Sequence, residues 1–307
     1  MIAFVARRLL QFIPVLFVIA TLTFFLVRLA PGGPFDSERA VSPEVRAQLD
    51  AQYHLDAPLA VQYRDYMVAL LHGDFGPSFK NPSRSVSEWI VLRFPISLEL
   101  GAYALVVALS IGLVAGVLAS TRPNSIRDHA AMSFAMAGIC IPNFVLGPLL
   151  VLVFALWLRW LPVSGWDSAA CKVLPSITLG AMYAAYIARL TRGGMLEVLA
   201  QDFIRTARAR GLSEARIVVR HGLRNGLQPV VAFLGPAAAG LLTGSFAVET
   251  IFRVPGLGRE FVQAAFNRDY TMIIGTVLFY ATLILLFNLL VDLAQAWLDP
   301  RARHDGA

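Results

Sequence analysis

Six stretches of this chain, roughly 9–30, 96–119, 131–158, 174–190, 229–252 and 272–298, carry apolar side chains with scarcely a charge among them. About twenty such residues cross the hydrocarbon core of a bilayer as an α-helix. They must be helical, because lipid offers no partners to free backbone N–H and C=O groups. The expected fold class is therefore all-α: a polytopic membrane bundle of six transmembrane helices, with the fourth span the shortest. At 57% hydrophobic and 15% charged residues, the 307-residue chain has too little charge to interrupt these runs as a soluble domain would. The first run, from Leu9 to Val27, is too long for a signal-peptide core. Pro31-Gly32-Gly33-Pro34 supplies no small-residue cleavage site, so the run reads as an uncleaved first span.

An even number of spans puts both termini on one side. If that side is the cytoplasm, fourteen arginines lie there, among them Arg7, Arg8, Arg122, Arg127, Arg301, Arg303 and the eight from Arg189 to Arg224. The two short outer loops then hold five basic residues: Arg159, Lys172, Arg253, Arg259 and Arg268. Basic residues accumulate on the cytoplasmic side of short loops, so the expected localisation is multi-pass in the cell membrane with N- and C-termini inside. The chain divides into residues 1–30, an N-terminal segment with span one; an extracytoplasmic loop, 31–95; a five-helix core, 96–298; and a cytoplasmic tail, 299–307. In the outer loop, Ser42–Tyr53 reads as a short helix capped by Ser42 with Pro43 at its first position. Asp56–Gly73 reads as a second, opened by Asp56 and closed by Gly73. Two short helices make a small lid or docking surface.

Catalytic constellations are missing from the sequence. Its two lysines, Lys80 and Lys172, follow Phe79 and Cys171, so neither belongs to a phosphate-binding G-x-x-x-x-G-K loop. The five histidines show no metal-ligand spacing, and no G-x-S-x-G elbow occurs. Cys140 and Cys171 form neither a disulfide framework nor a C-x-x-C pair. Glu99, Glu249 and Asp292 fall near expected helix ends and read as interfacial caps more readily than as a proton relay. Asn143, Thr243 and Ser245 are the polar candidates for a translocation path, and Pro142 and Pro229 the candidate hinges. Gly112–Gly116 and Gly240–Gly244 fit the small-x-x-x-small pattern of close helix packing.

The charge gathers between the fourth and fifth spans, over about 191–226. The stretch "DFIRTARARGLSEARIVVRHGLRNG", Asp202–Gly226, holds six arginines. Attraction to lipid headgroups explains charge anywhere on the inner face, at about 1 kcal/mol per residue. It does not explain the pattern. One helix starts near Asp202 and stops at Gly211, and another restarts with Ser213 as its cap. A folded loop offers a shaped surface, which suits a protein partner. Phe203 is the only aromatic residue there, too little for the stacking that nucleic acid needs.

These residues resemble the cytoplasmic loop of inner-membrane permease subunits in dipeptide/oligopeptide ABC importers. "ARRLLQFIPVL", "GDFGPSF", "IPNFVLG", "VETIFRVPGLGRE" and "NLLVDLAQAWLDPRAR" also match, in family order and over nearly the whole chain. The long loop after span one is similar to that of the first permease of such systems. Where the general importer signature has Glu-Ala-Ala, this chain has Arg205-Thr206-Ala207, with Gly211 in place and Gln228-Pro229 for the later Leu-Pro. The resemblance implies a type I importer permease and a coupling helix over Arg205–Glu214. Thr206, Ala207 and Gly211 would pack in an ATPase cleft, beside Leu212 and Ser213, with Arg205, Arg208 and Glu214 at its polar edge. It implies a second permease, two ABC ATPases that bind the ATP and magnesium, an extracytoplasmic solute-binding protein met by the outer loop, and surrounding lipid. Short peptides are the implied substrate, with haem, nickel chelates or glutathione as alternatives in the same family. A stand-alone ion-coupled carrier or channel, or a membrane scaffold, are the readings from other classes.

Overall fold

The computed structural model describes residues 2–30, 33–35, 48, 51 and 55–298. Among the described residues every regular element is helical, and one isolated antiparallel bridge joins Pro77 to Ser85. The helices are α1 (Ile2–Leu29), α2 (Leu59–Leu71), α3 (Val86–Thr121), α4 (Ile126–Cys140), α5 (Asn143–Leu150, continued by a π-helical turn Val151–Trp157) and α6 (Ala169–Leu199). There follow α7 (Asp202–Ala209), α8 (Glu214–Arg216, leading through a π turn, Ile217–Gly222, to α9, Leu223–Gly226), α10 (Gln228–Leu242), α11 (Phe246–Ile251), α12 (Leu257–Asn267) and α13 (Tyr270–Leu298). The helix expected over Ser42–Tyr53, apart from Gln48 and Ala51, and the tail 299–307 lie outside the described residues.

Four helices, α1, α3, α6 and α13, are each long and apolar enough to cross a membrane. Two bent pairs bring the total to as many as six: Ile126–Cys140 with Asn143–Trp157 at 112°, and Glu214–Gly226 with Gln228–Leu242 at 55°. The expected boundaries shift in the second, fourth and fifth spans, and the third carries a sharp bend at the candidate hinge Pro142. The second span begins at Val86, not 96, because Ser85 and Glu88 form a reciprocal capping box, Ser85 N to Glu88 Oε2 at 3.0 Å and Glu88 N to Ser85 Oγ at 3.2 Å. Pro95 then lies inside the helix. The third span is broken at Ile141-Pro142. The fourth, expected to be the shortest, is one of the longer helices, 31 residues, and runs to Leu199. It is less apolar than the other three because more of it is buried against protein, where Ala, Gly, Ser and Thr replace the large residues that face lipid. The fifth ends at Leu242, where Gly244 turns the chain at φ +80° before α11.

Two compact units are distinguished, Met1–Ile96 with Pro255–Leu286 and Ser97–Val254 with Phe287–Ala307. In the first, α2 packs along α1 and is not a detached lid. Thr21 Oγ1 meets Tyr63 Oη at 2.8 Å, and Arg28 donates from Nε to Gln62 Oε1 at 3.1 Å. Ala20, Phe24, Ile274 and Leu278 form the core beneath, with Tyr63, Tyr66 and Leu70 of α2 against it. The cap of α2 is Pro58, in place of the expected Asp56. The "GDFGPSF" turn is held by buried Asp269, whose carboxylate accepts from Ser78 Oγ (2.5 Å) and the amides of Phe79, Lys80 and Met272 (3.2, 3.3 and 3.1 Å), and by Thr271 Oγ1, which donates to Pro77 O at 2.6 Å.

In the second unit α6 is the central helix. Gly112 and Gly116 let α3 approach it, since a methyl at either would fall on backbone or side chains of Ala184, Ile187, Ala188 or Thr191. The small-residue reading holds there. It does not hold as a stripe for Gly240–Gly244: Gly240 leaves room for Tyr183, whereas Gly244 serves the turn. Gly112→Leu is expected to cost about 3 kcal/mol or more by overpacking. Gly193→Ala, where nothing lies within 4 Å, is expected to be silent. Recovery of a monodisperse peak in size-exclusion chromatography, lost in the first variant and retained in the second, checks both.

Candidate functional site

The segment between α6 and α10 is built as a knuckle of two short helices. Asp202 opens α7, and the helix ends at Gly211, whose φ of +78° a side chain rarely adopts. Gly211 N–H bonds to Arg208 O at 2.9 Å and Leu212 N–H to Ala207 O at 3.3 Å, the paired bonds of a Schellman turn. Leu212 then folds back on a cluster of Ile204, Ala207 and Ile217, edged by Leu199. Fully burying the two isoleucines contributes about 1.5–3 kcal/mol each. Ser213 takes the cap position of α8, but its hydroxyl makes no capping bond.

The predicted contact residues divide between two faces. Arg205, Thr206, Arg208, Gly211, Ser213 and Glu214 are exposed, Leu212 is half-buried, and Ala207 points inward. Ala207 therefore joins the helices to each other through Ile204 and Ile217. Arg205 pairs with Asp202 at 3.1 Å, and Thr206 Oγ1 donates to Asp202 O at 3.0 Å. Arg208 grips Glu214 with both Nε and Nη2, at 2.7 and 3.3 Å. The hydrogen bonds to Glu214 raise the Arg208 pKa further. The exposed face thus alternates fixed charges with open backbone at Gly211, where a Cβ would meet no described residue within 4 Å beyond its chain neighbours.

Close contacts fix the knuckle to α6. A methyl on Gly194 would fall on the Gly226 carbonyl, and one on Gly222 or Gly226 would fall on buried Met195. One turn before these, Arg192 makes two 2.7 Å bonds, from Nε to Asp128 Oδ1 and from Nη2 to Asp128 Oδ2. Asp128 also accepts from Asn124 N at 2.9 Å, closing the turn before α4. Sequence reasoning missed this pair. The spacing Ser125-x-x-Asp128 marks a helix start, but nothing in it indicates a partner 64 residues away.

Near the other end of α6, Lys172 Nζ meets Glu99 Oε1 at 2.6 Å, and Trp166 Nε1 donates to Glu99 Oε2 at 3.0 Å. Glu99 is thus an ion-pair partner and not a simple interfacial cap. Glu249 is fully buried in α11, contrary to the expectation of water access, because α11 is folded inside the unit and does not end a span. Asp292 is half-buried within α13. Thr243 and Ser245 flank one turn. Thr243 donates to Ala239 O and Gly240 O, both at 3.0 Å, and Ser245 accepts from Val248 N at 3.4 Å. Asn143 opens α5, which packs against α11, so the three polar candidates lie on neighbouring elements. Pro142 caps α5 at the 112° bend, and Pro229 lies in the first turn of α10.

Residues 109–304 match the family described as "Binding-protein-dependent transport system inner membrane component", and residues 1–101 match its N-terminal region family. The chain belongs to this family. It is 48% identical over 306 residues to the oligopeptide transport system permease protein OppB of Salmonella typhimurium, covering 99% of this chain and 100% of that one. With the dipeptide transport system permease protein DppB of Bacillus subtilis it shares 47% identity over 99% and 98% of the two chains. Among solved structures it is similar to an inward-facing form of the MetNI methionine ABC transporter, with a TM-score of 0.52 and 21% identity over 67% of this chain and 94% of that one. A second, an amino acid ABC transporter crystallised with histidines, gives a TM-score of 0.52 at 19% identity over 67% and 92%. The fold is that of a type I ABC importer permease, and the chain is an inner-membrane transporter component.

Proposed function

We propose that this chain is one of two permease subunits of an ATP-driven importer of dipeptides and oligopeptides, and that the α7–α8 knuckle docks on a separate ABC ATPase. The observation that carries the reading is the build of the knuckle. A Schellman turn, an apolar seal and backbone contacts to α6 make it stiff, while its charged face is exposed among the described residues. Near-identity of length with permeases named for oligopeptide and dipeptide transport supports the substrate class. The fourteen arginines on the knuckle's side favour placing it, with both termini, in the cytoplasm.

In this reading ATP and magnesium reside on the ATPases, in keeping with a sequence that has no phosphate-binding loop. ATP favours the closed ATPase pair, and closure draws the two coupling segments together. The attached helices then tip the path from inward-open to outward-open, because ATP binds one arrangement better than the other. An extracytoplasmic binding protein delivers the peptide and supplies most of the selectivity.

The test is reconstitution of this permease in proteoliposomes with the second permease, both ATPases and the binding protein. Uptake of labelled tri-alanine is expected only with ATP and all subunits present. ATP-dependent uptake of haem, a nickel chelate or glutathione in place of peptide would move the substrate within the family. Uptake by this chain alone would refute the reading in favour of a stand-alone carrier.

A further inference from the structure

We propose that the Asp128–Arg192 pair is a strut that carries movement of the α7–α8 knuckle to the bend at Pro142, which makes both side chains positioning residues for transport. The proposal rests on the reading of the knuckle as an ATPase dock. The contacts form an unbroken series within one compact unit. Gly222 and Gly226 clamp Met195 and Gly194 of α6. One turn away, Arg192 grips Asp128 in the third position of α4. Helix α4 ends at Cys140, the chain bends by 112° at Ile141-Pro142, and α5 packs on α11 beside Thr243 and Ser245.

Three features separate a strut from a mere staple. A planar two-point grip transmits rotation as well as pull, which a single apolar contact or a lysine would not. The Asp128 side chain is 3% exposed and also holds the Asn124 amide, so the grip fixes the turn before α4 as well as the helix itself. The Asp128 end is buried while Arg192 is 29% exposed, and part-buried ion pairs are modest stabilisers, so stability alone is a weak reason for one here. There is also room to move. An apolar groove of about 210 Å³, open on one side where Phe134 is exposed and lined by Ala115, Gly138, Leu146 and Ala181 among others, runs along α3, α4, α5 and α6. A tightly packed bend could not shift without clashes.

The experiment uses the full complex in a cysteine-free background, with spin labels at exposed Met136 on α4 and exposed Val219 in the knuckle. Their distance is measured nucleotide-free and trapped with ATP and vanadate. In the parent complex the distance is expected to be the same in both states, because the strut makes knuckle and α4 one body. In Asp128→Asn/Arg192→Met, which keeps an acceptor for the Asn124 amide, it is expected to differ between states. ATP hydrolysed per peptide transported is then expected to rise about tenfold, with the thermal midpoint of the complex retained. A state-dependent distance in the parent, an unchanged distance in the variant, or hydrolysis and uptake falling in parallel with the thermal midpoint would overturn the strut. A parent that fails to bind its ATPases through the knuckle would instead refute the docking reading.

Discussion

Gly211→Val is expected to abolish ATP-dependent uptake, and Gly211→Asn to preserve much of it. Holding a residue with a side chain at φ +78° costs about 1–2 kcal/mol, and a β-branched residue stands at the upper end. Asparagine visits this region more readily because its side chain bonds locally. Losing the conformation would break both Schellman bonds and pull Leu212 off the Ile204–Ala207–Ile217 cluster, so the knuckle would lose its shape as a unit. Because no other described residue beyond its chain neighbours lies within 4 Å of the missing Cβ, crowding among the described residues cannot explain a defect. Comparing the two variants therefore separates backbone geometry from space in a partner cleft. If both abolish ATPase co-purification equally, the cleft tolerates no side chain. If valine behaves like the parent, the knuckle is not the docking element.

The largest loss of stability is expected from Asp269→Ala. Its carboxylate is buried and serves four donors, the Ser78 hydroxyl and three backbone amides. Removing it orphans several of them at once. An unsatisfied buried donor costs about 1–3 kcal/mol, and water entering the gap would serve some, so the net penalty is about 3–5 kcal/mol. Asp269→Asn keeps volume and one acceptor oxygen and is expected to lose roughly half as much. Thermal unfolding of the detergent-solubilised complex checks the order parent, Asn, Ala. A midpoint for the alanine variant equal to the parent's would mean that the "GDFGPSF" turn is held by other contacts.

How far the sequence revealed the structure depends on whether the deciding interaction was local. The Asp202-to-Gly211 helix was legible because a start residue and a left-handed glycine stop lie within one short stretch. The break after Ile141 was legible from Pro142. The early start of α3 was also present locally, in Ser85 and Glu88, but an apolar-run boundary at 96 passes over the more polar first turns of the helix. The true length of α6 was hidden for a different reason: hydropathy measures exposure to lipid, and this helix is wrapped by protein. Asp128–Arg192 and Lys172–Glu99 join residues 64 and 73 positions apart, and no local pattern announces either. The inward turn of Ala207 follows from helical phase with Ile204, a signal that the family signature obscured.

The low hydropathy of α6 also bears on how the chain is made. A segment with lysine near one end, arginines near the other and alanine or glycine between them is a weak candidate for release into lipid by the translocon. Its favourable environment consists of α3 and α4, whose glycines and alanines it meets, and both emerge from the ribosome earlier. Biogenesis must therefore be sequential, with the first spans retained beside the insertion channel until α6 can leave it against them.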